Sequence, residues 1–218
     1  MRNLISKHDN FSLDALHYAP SGPRKGGVVV IQEIFGLTDH IHEMCARFAE
    51  NGYEAIAPDL FARIEPGFLA AHSPEGIAKG VQAVQATPMA QVASDVQAAL
   101  DAMEGPRFVT GFCYGGAVTW LAAQRCQGVA AASGFYGRLI NNLLDRPLKA
   151  PIELHYGRND AGIPLTEVDK VRAAFPDVPI HLYEAGHGFC RKGSADYHGL
   201  SCDLAMERTL ALFARHSV

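Results

Sequence analysis

Basic charge is thin along these 218 residues: 19 Lys and Arg stand against 23 Asp and Glu, for a formal net charge of −4. No dense cationic stripe forms, so nucleic acid and anionic membrane surfaces lack electrostatic support as partners. Long apolar runs are missing too. Gly27–Ile31 is typical of those present, far short of the about 20 residues that cross a bilayer. Met1 to Asp9 holds no apolar signal core with a small-residue cleavage site, so a cytoplasmic location is the default expectation. The cysteines, Cys45, Cys113, Cys126, Cys190 and Cys202, are odd in number and form no CxxC pair. That excludes a disulfide framework and a zinc site of familiar spacing, and free thiols are expected. What remains is an ordinary globular composition, 48% hydrophobic in short mixed runs, of a length suited to a single domain over 1–218. Nothing in it demands an oligomer, and a monomer is expected.

Strand-like and helix-like segments alternate. Val28–Ile31, Tyr53–Ala57, Arg107–Thr110, Val129–Ala132, Pro151–Tyr156 and Pro179–Glu184 read as strands. Helical spacing is read near Asp39–Asn51, Glu75–Ala86, Met89–Glu104, Cys113–Cys126, Pro164–Phe175 and Ser194–His216. The pattern predicts an α/β fold with a mainly parallel sheet and helices on both faces. In such folds chemistry collects at the carboxyl ends of the strands. Glu33, Cys113, Asp160 and His187 each follow a predicted strand. The segment Asp59–Pro74 is the most loop-like and is a candidate for substrate contacts.

Thr110-Gly111-Phe112-Cys113-Tyr114-Gly115-Gly116 follows an apolar strand and opens a helix. It matches the G-x-S-x-G nucleophile elbow with cysteine in the serine position. The turn is so tight that side chains two before or two after the nucleophile would collide with backbone, and glycine removes them. The helix N-terminus adds free N–H groups and a positive dipole end, which favour a thiolate and an oxyanion alike. A buried cysteine in a glycine-rich turn is the plain alternative. The partners decide between them.

In α/β-hydrolases an acid and then a histidine follow the nucleophile. Asp160 stands after the strand Pro151–Tyr156, and His187, between Gly186 and Gly188, stands after the next. His187 would act as base and then acid, with Asp160 holding its tautomer. Asp169, Asp177 and Glu184 compete for the acid role on sequence alone, and the post-strand position favours Asp160. Asp59 precedes Cys113, breaks the order, and is read as bracing a loop. The oxyanion hole would use the backbone N–H of Tyr114 and that of Ile34, in Gln32-Glu33-Ile34-Phe35-Gly36. Glu33 is unexpected there, since a fixed negative charge opposes a forming oxyanion. It either shapes the loop by hydrogen bonding or shares a hydrogen bond with a neutral Cys113 thiol and limits its oxidation.

Together these segments resemble the dienelactone hydrolase (carboxymethylenebutenolidase) family of the α/β-hydrolase superfamily. The resemblance rests on Gln32–Gly36, Pro58-Asp59-Leu60-Phe61-Ala62-Arg63, Gly111–Gly116 and Gly186-His187-Gly188-Phe189. Gly134-Phe135-Tyr136-Gly137 and Gly157-Arg158-Asn159-Asp160 add to it. It implies a single-domain, cofactor-free hydrolase with a Cys113, His187, Asp160 triad, in which Glu33 takes the thiol proton as substrate binds. The type reaction opens an unsaturated lactone to maleylacetate, the substrate carboxylate being held by arginines. Arg191 matches one of these. No second arginine appears between Arg63 and Arg107, Phe68 is the only aromatic residue in that stretch, and Gly188 stands where some members have serine. Tyr136, Phe35 and Arg63 are the other candidate substrate contacts, with a core aromatic and a loop brace as the plain readings of Tyr136 and Arg63.

The leading expectation is hydrolysis of a small, carboxylate-bearing lactone or ester, with no metal. A broader ester or thioester hydrolase is the second reading. The third is a binding or thiol-sensing protein, disfavoured because such a module has no use for the acid–His order.

Overall fold

The structure, a computed structural model, describes residues 1–217. Its strands are β1 (Arg2–Ile5), β2 (Ser12–Tyr18), β3 (Gly26–Ile31), β4 (Tyr53–Pro58), β5 (Arg107–Phe112), β6 (Val129–Phe135), β7 (Ile152–Gly157) and β8 (Ile180–Tyr183). They form one sheet in the order β1-β2-β4-β3-β5-β6-β7-β8. From β4 to β8 every pairing is parallel, as the alternation of strand and helix predicts. β3 is buried at all six positions, which is why it reads as an unbroken apolar run.

The helices are α1 (Asp39–Glu50), α2 (Pro74–Ala86), α3 (Met89–Asp101), α4 (Tyr114–Arg125), α5 (Leu165–Ala174) and α6 (Gly199–Arg215), with a 3₁₀ segment at Arg138–Leu143. α3 packs on α4, while α1 meets α6 through Phe48 stacked on Phe213 at 6.1 Å. Phe213 also stacks on Phe108 of β5 at 4.4 Å, which fastens α6 to the centre of the sheet. Helices thus cover both faces, and the fold is that of the α/β-hydrolases.

Two features depart from the sequence expectation. The antiparallel hairpin β1–β2 was not expected; its strands are only half-buried, so they lack a continuous apolar run. The last helix begins at Gly199 rather than Ser194, because Gly193 takes a left-handed φ of 77° and His198 caps the helix by accepting from the Ser201 N–H.

The segment after β4 is ordered by short bonds. Asp59 accepts from the N–H groups of Phe61 and Gly67, the loop-bracing role expected of it. Farther on, Ala70 donates its N–H to Phe35 O at 3.1 Å and Leu69 bridges Gly36. The segment is therefore laid against the turn that follows β3.

Candidate active site

The carboxyl ends of β3, β5, β7 and β8 bring the candidate residues together. Cys113 sits between β5 and α4 with φ 57° and ψ −112°, a backbone conformation uncommon outside glycine. Its neighbours make the turn possible. A Cβ on Gly115 would lie 2.4 Å from Ile31 O and 2.7 Å from Gln32 O, so only glycine lets α4 start this close to β3. Cys113 is partly exposed, whereas the other four cysteines are buried.

His187 follows β8 and binds Asp160 through Nδ1 at 2.7 Å. The second oxygen of Asp160 accepts from the N–H groups of Gly162 and Ile163 at 2.8 and 3.0 Å, which fixes the carboxylate. With Nδ1 taken, Nε2 is the nitrogen left for Cys113. Burial disfavours the charged imidazole, but Asp160 and Cys113 outweigh it and push His187 up to about 10. The ring therefore holds its proton at neutral pH. Since the folded value lies above the ordinary one, this group's stabilisation is full below about 6.5 and is lost as pH rises through about 10. A ¹⁵N NMR titration should show His187 changing state well above the usual imidazole range. Cys113→Ala and Asp160→Asn should each bring it down; an ordinary titration in the intact protein would contradict this account.

The N–H groups of Tyr114 and Ile34 have no backbone acceptor among the described residues, so both remain free to donate. Glu33 is fully buried and its carboxylate faces Arg191 Nη1, at 3.3 and 3.4 Å, and His72 Nε2, at 3.9 Å. Burial would raise its carboxyl, but His72, His40 and Arg191 hold it below the usual range. No hydrogen bond joins Glu33 to Cys113 among the described residues, so the expected resting contact with the thiol is absent. The physical reason is competition: the Arg191 guanidinium offers the carboxylate a charge-assisted hydrogen bond. Phe35 is the shelf for this group, with the His72 ring at 4.0 Å and the Arg191 guanidinium at 5.8 Å. His72 escaped the sequence reading, its only signal being its place in the 59–74 loop. A cavity of about 640 Å³ opens beside it, lined by Leu37, Leu69, His72 and Arg191 among others.

Two expected substrate contacts lie elsewhere. Arg63 binds Asp9 and Asp95 and covers the Phe11 ring, so its guanidinium is committed to bracing the loop. Tyr136 is fully buried beneath the site, its ring 5.1 Å from that of His187. It supports the histidine from below and has no surface to offer a substrate. Among the described residues no group of His, Cys, Asp or Glu side chains is arranged to hold a metal ion, and no helix is long and apolar enough to cross a membrane.

Comparison with known proteins follows the same lines. The family model described as "Dienelactone hydrolase family" matches residues 13–217. The carboxymethylenebutenolidase of Pseudomonas putida is 31% identical over 225 residues, covering 96% of this chain and 94% of that protein. A Methylorubrum extorquens protein provisionally called a carboxymethylenebutenolidase is 37% identical over 201 residues, 80% of this chain and 67% of its own. Among solved structures, one from Klebsiella pneumoniae provisionally called a dienelactone hydrolase superposes with a TM-score of 0.83 at 29% identity, covering 98% of each chain. A Pyrococcus furiosus esterase, at 14% identity and a TM-score of 0.71, shares the fold over 100% of this chain and 90% of its own. A family match over nearly the whole chain, on this fold, means that the protein belongs to the dienelactone hydrolase family and is a carboxylic ester hydrolase.

Proposed function

We propose that the protein opens an enol-lactone such as dienelactone to maleylacetate through a Cys113, His187, Asp160 triad. The observation that carries the reading is the His187–Asp160 bond of 2.7 Å beside a nucleophile-elbow cysteine. The Cys113 sulfur, its proton passed to His187, adds as thiolate to the lactone carbonyl, and the N–H groups of Ile34 and Tyr114 hold the resulting oxyanion. Collapse of that intermediate breaks the ring C–O bond, and His187 gives its proton to the departing oxygen. Water, deprotonated by His187, then cleaves the thioester to the acid and restores Cys113. A stabilised enolate suits this chemistry, because a poor leaving group would instead expel the thiolate and re-form the lactone.

Arg191 is the residue proposed to hold a substrate carboxylate. Only one of its terminal nitrogens is bonded to Glu33, and the guanidinium lines the cavity. Planar guanidinium and carboxylate groups match in shape and charge. The reading carries a monomer of one domain, acting in the reducing cytoplasm where a thiol nucleophile survives. The absence of a second arginine favours a wider ester or thioester range as the alternative.

A panel of dienelactone, an activated aryl ester and a plain alkyl ester separates the two. The lactone reading expects high turnover of dienelactone, measurable turnover of the aryl ester and little of the alkyl ester. Arg191→Met should raise KM for dienelactone about 10- to 100-fold, the size of a lost charge-assisted hydrogen bond, while the neutral aryl ester is unaffected. Comparing two substrates on one enzyme cancels any loss of folded protein. Equal turnover of all three substrates would favour the wider range and overturn the lactone assignment.

A further inference from the structure

Both triad loops hang from one residue. Tyr183 ends β8, and its carbonyl accepts the N–H of Arg158 at 2.7 Å and that of Ala185 at 2.9 Å. Arg158 leads to Asp160 and Ala185 to His187, and the two loops meet again where the Asn159 N–H donates to Ala185 O at 3.0 Å. They lie so close that a Cβ on Gly157 would stand 2.2 Å from Ala185 O. β8 is an edge strand of four residues paired with β7 alone, so sheet hydrogen bonds hold Tyr183 from one side only. Its side chain supplies the other hold. The ring packs on Phe189 at 5.2 Å, and the hydroxyl sits between His155 Nδ1 at 2.8 Å and Arg208 Nη1 of α6 at 3.0 Å.

Proton directions in this buried cluster follow from donors that have no choice. Arg208 can only donate, so the Tyr183 O–H points at His155 Nδ1. The His155 ring proton is then on Nε2, toward Ser133 Oγ at 3.0 Å and the Glu153 carboxylate at 3.3 Å. Ser133 in turn meets Thr209 Oγ1 at 2.7 Å, and Thr209 donates to Ala205 O. Burial keeps both rings neutral: it pushes the Tyr183 phenol up to about 12 and pulls His155 down. We infer that Tyr183, anchored by His155 and Arg208, is a positioning residue for the triad, its hydroxyl fixing the carbonyl from which the Asp160 and His187 loops are suspended. The three side chains act through those loops and not on the substrate. This role rests on the proposed triad.

Tyr183→Phe keeps the ring and removes the hydroxyl. A purely structural role predicts a lower Tm with native kcat in the protein that remains folded. A positioning role predicts that kcat for an activated aryl ester also falls, by about 10-fold, within the range for slight misplacement of reacting groups. The low-field ¹H resonance of the His187 Nδ1 proton, identified by its loss in His187→Gln, should move upfield as its bond to Asp160 lengthens. Arg208→Met disturbs the same hydroxyl from the half-buried surface of α6 and should lower kcat about 3-fold, with a shift in the same direction. Thr209→Val is the control. It removes a hydroxyl from the far end of the cluster, lowers Tm, and should leave kcat within about 2-fold and the resonance in place. Native kcat and an unmoved resonance in both Tyr183→Phe and Arg208→Met would overturn the assignment, as would an equal loss of kcat in Thr209→Val. Should Tyr183→Phe not fold, Arg208→Met decides. Failure of the hydrolase reading looks different: the unmodified protein would turn over no lactone or ester at all.

Discussion

Cys113→Ala is expected to fold normally and to lower kcat/KM for an activated ester by at least about 10⁴-fold, the scale seen when a triad nucleophile is removed. The side chain is small and partly exposed, so its loss leaves no cavity of consequence. Alanine meets the same backbone strain at φ 57° as the cysteine it replaces. No other thiol can stand in, since Cys45, Cys126, Cys190 and Cys202 are buried. Residual catalysis would come from the oxyanion donors and from binding alone. Steady-state kinetics with an aryl ester, alongside thermal melting, checks both halves. A variant that keeps most of its activity would mean that the sulfur is not the nucleophile.

Asp160→Asn should cost about 10³- to 10⁴-fold in kcat, the scale of a tautomer error in a catalytic triad. One Asp160 oxygen takes the Nδ1–H of His187 and the other accepts from Gly162 and Ile163. The asparagine amide can satisfy those backbone donors with its single oxygen, which turns its NH₂ toward Nδ1. The ring then carries its proton on Nε2, facing Cys113, where a base is needed. Loss of the carboxylate also lowers the His187 pKa from about 10, so the pH–rate profile should change shape as well as height. Asp169, Asp177 and Glu184, the rival acids on sequence alone, are exposed. Asp169→Asn and Asp177→Asn should leave kcat within about 2-fold of the native value, as surface changes do. A large loss in either would move the acid role away from Asp160.

The sequence made the parallel sheet readable because its central strands are buried on both faces and so are apolar throughout, as in Val28–Ile31. The positions of Cys113, Asp160 and His187 were readable for a related reason: each ends a strand or follows one closely. Distant pairings were not. Arg63 meets Asp9 and Asp95 only because the hairpin turn and α3 come to it from 54 and 32 residues away. The hairpin itself gave too weak an apolar signal to be read. Glu33 shows the same limit. Its partners Arg191 and His72 are set by the turn after β3, the loop at 69–72 and the segment after β8 meeting at one place. A carboxylate in a sequence has no direction. Here it faces the Arg191 guanidinium and the His72 ring, so the expected thiol contact gives way to them. Tyr136 was readable as an aromatic near the site, while its full burial beneath His187 depends on the strained turn after β6.

Cys113 as a covalent nucleophile is the centre of the account. Mass spectrometry of the protein quenched during turnover of an activated aryl ester tests it most directly. The predicted result is one acyl group per chain, localised by peptide mapping to Cys113 and absent from Cys113→Ala. It should persist longer in His187→Gln, where no base remains to activate water. An acyl group found on another side chain, or rapid hydrolysis with no acylated Cys113 even in acid-quenched samples, would contradict it.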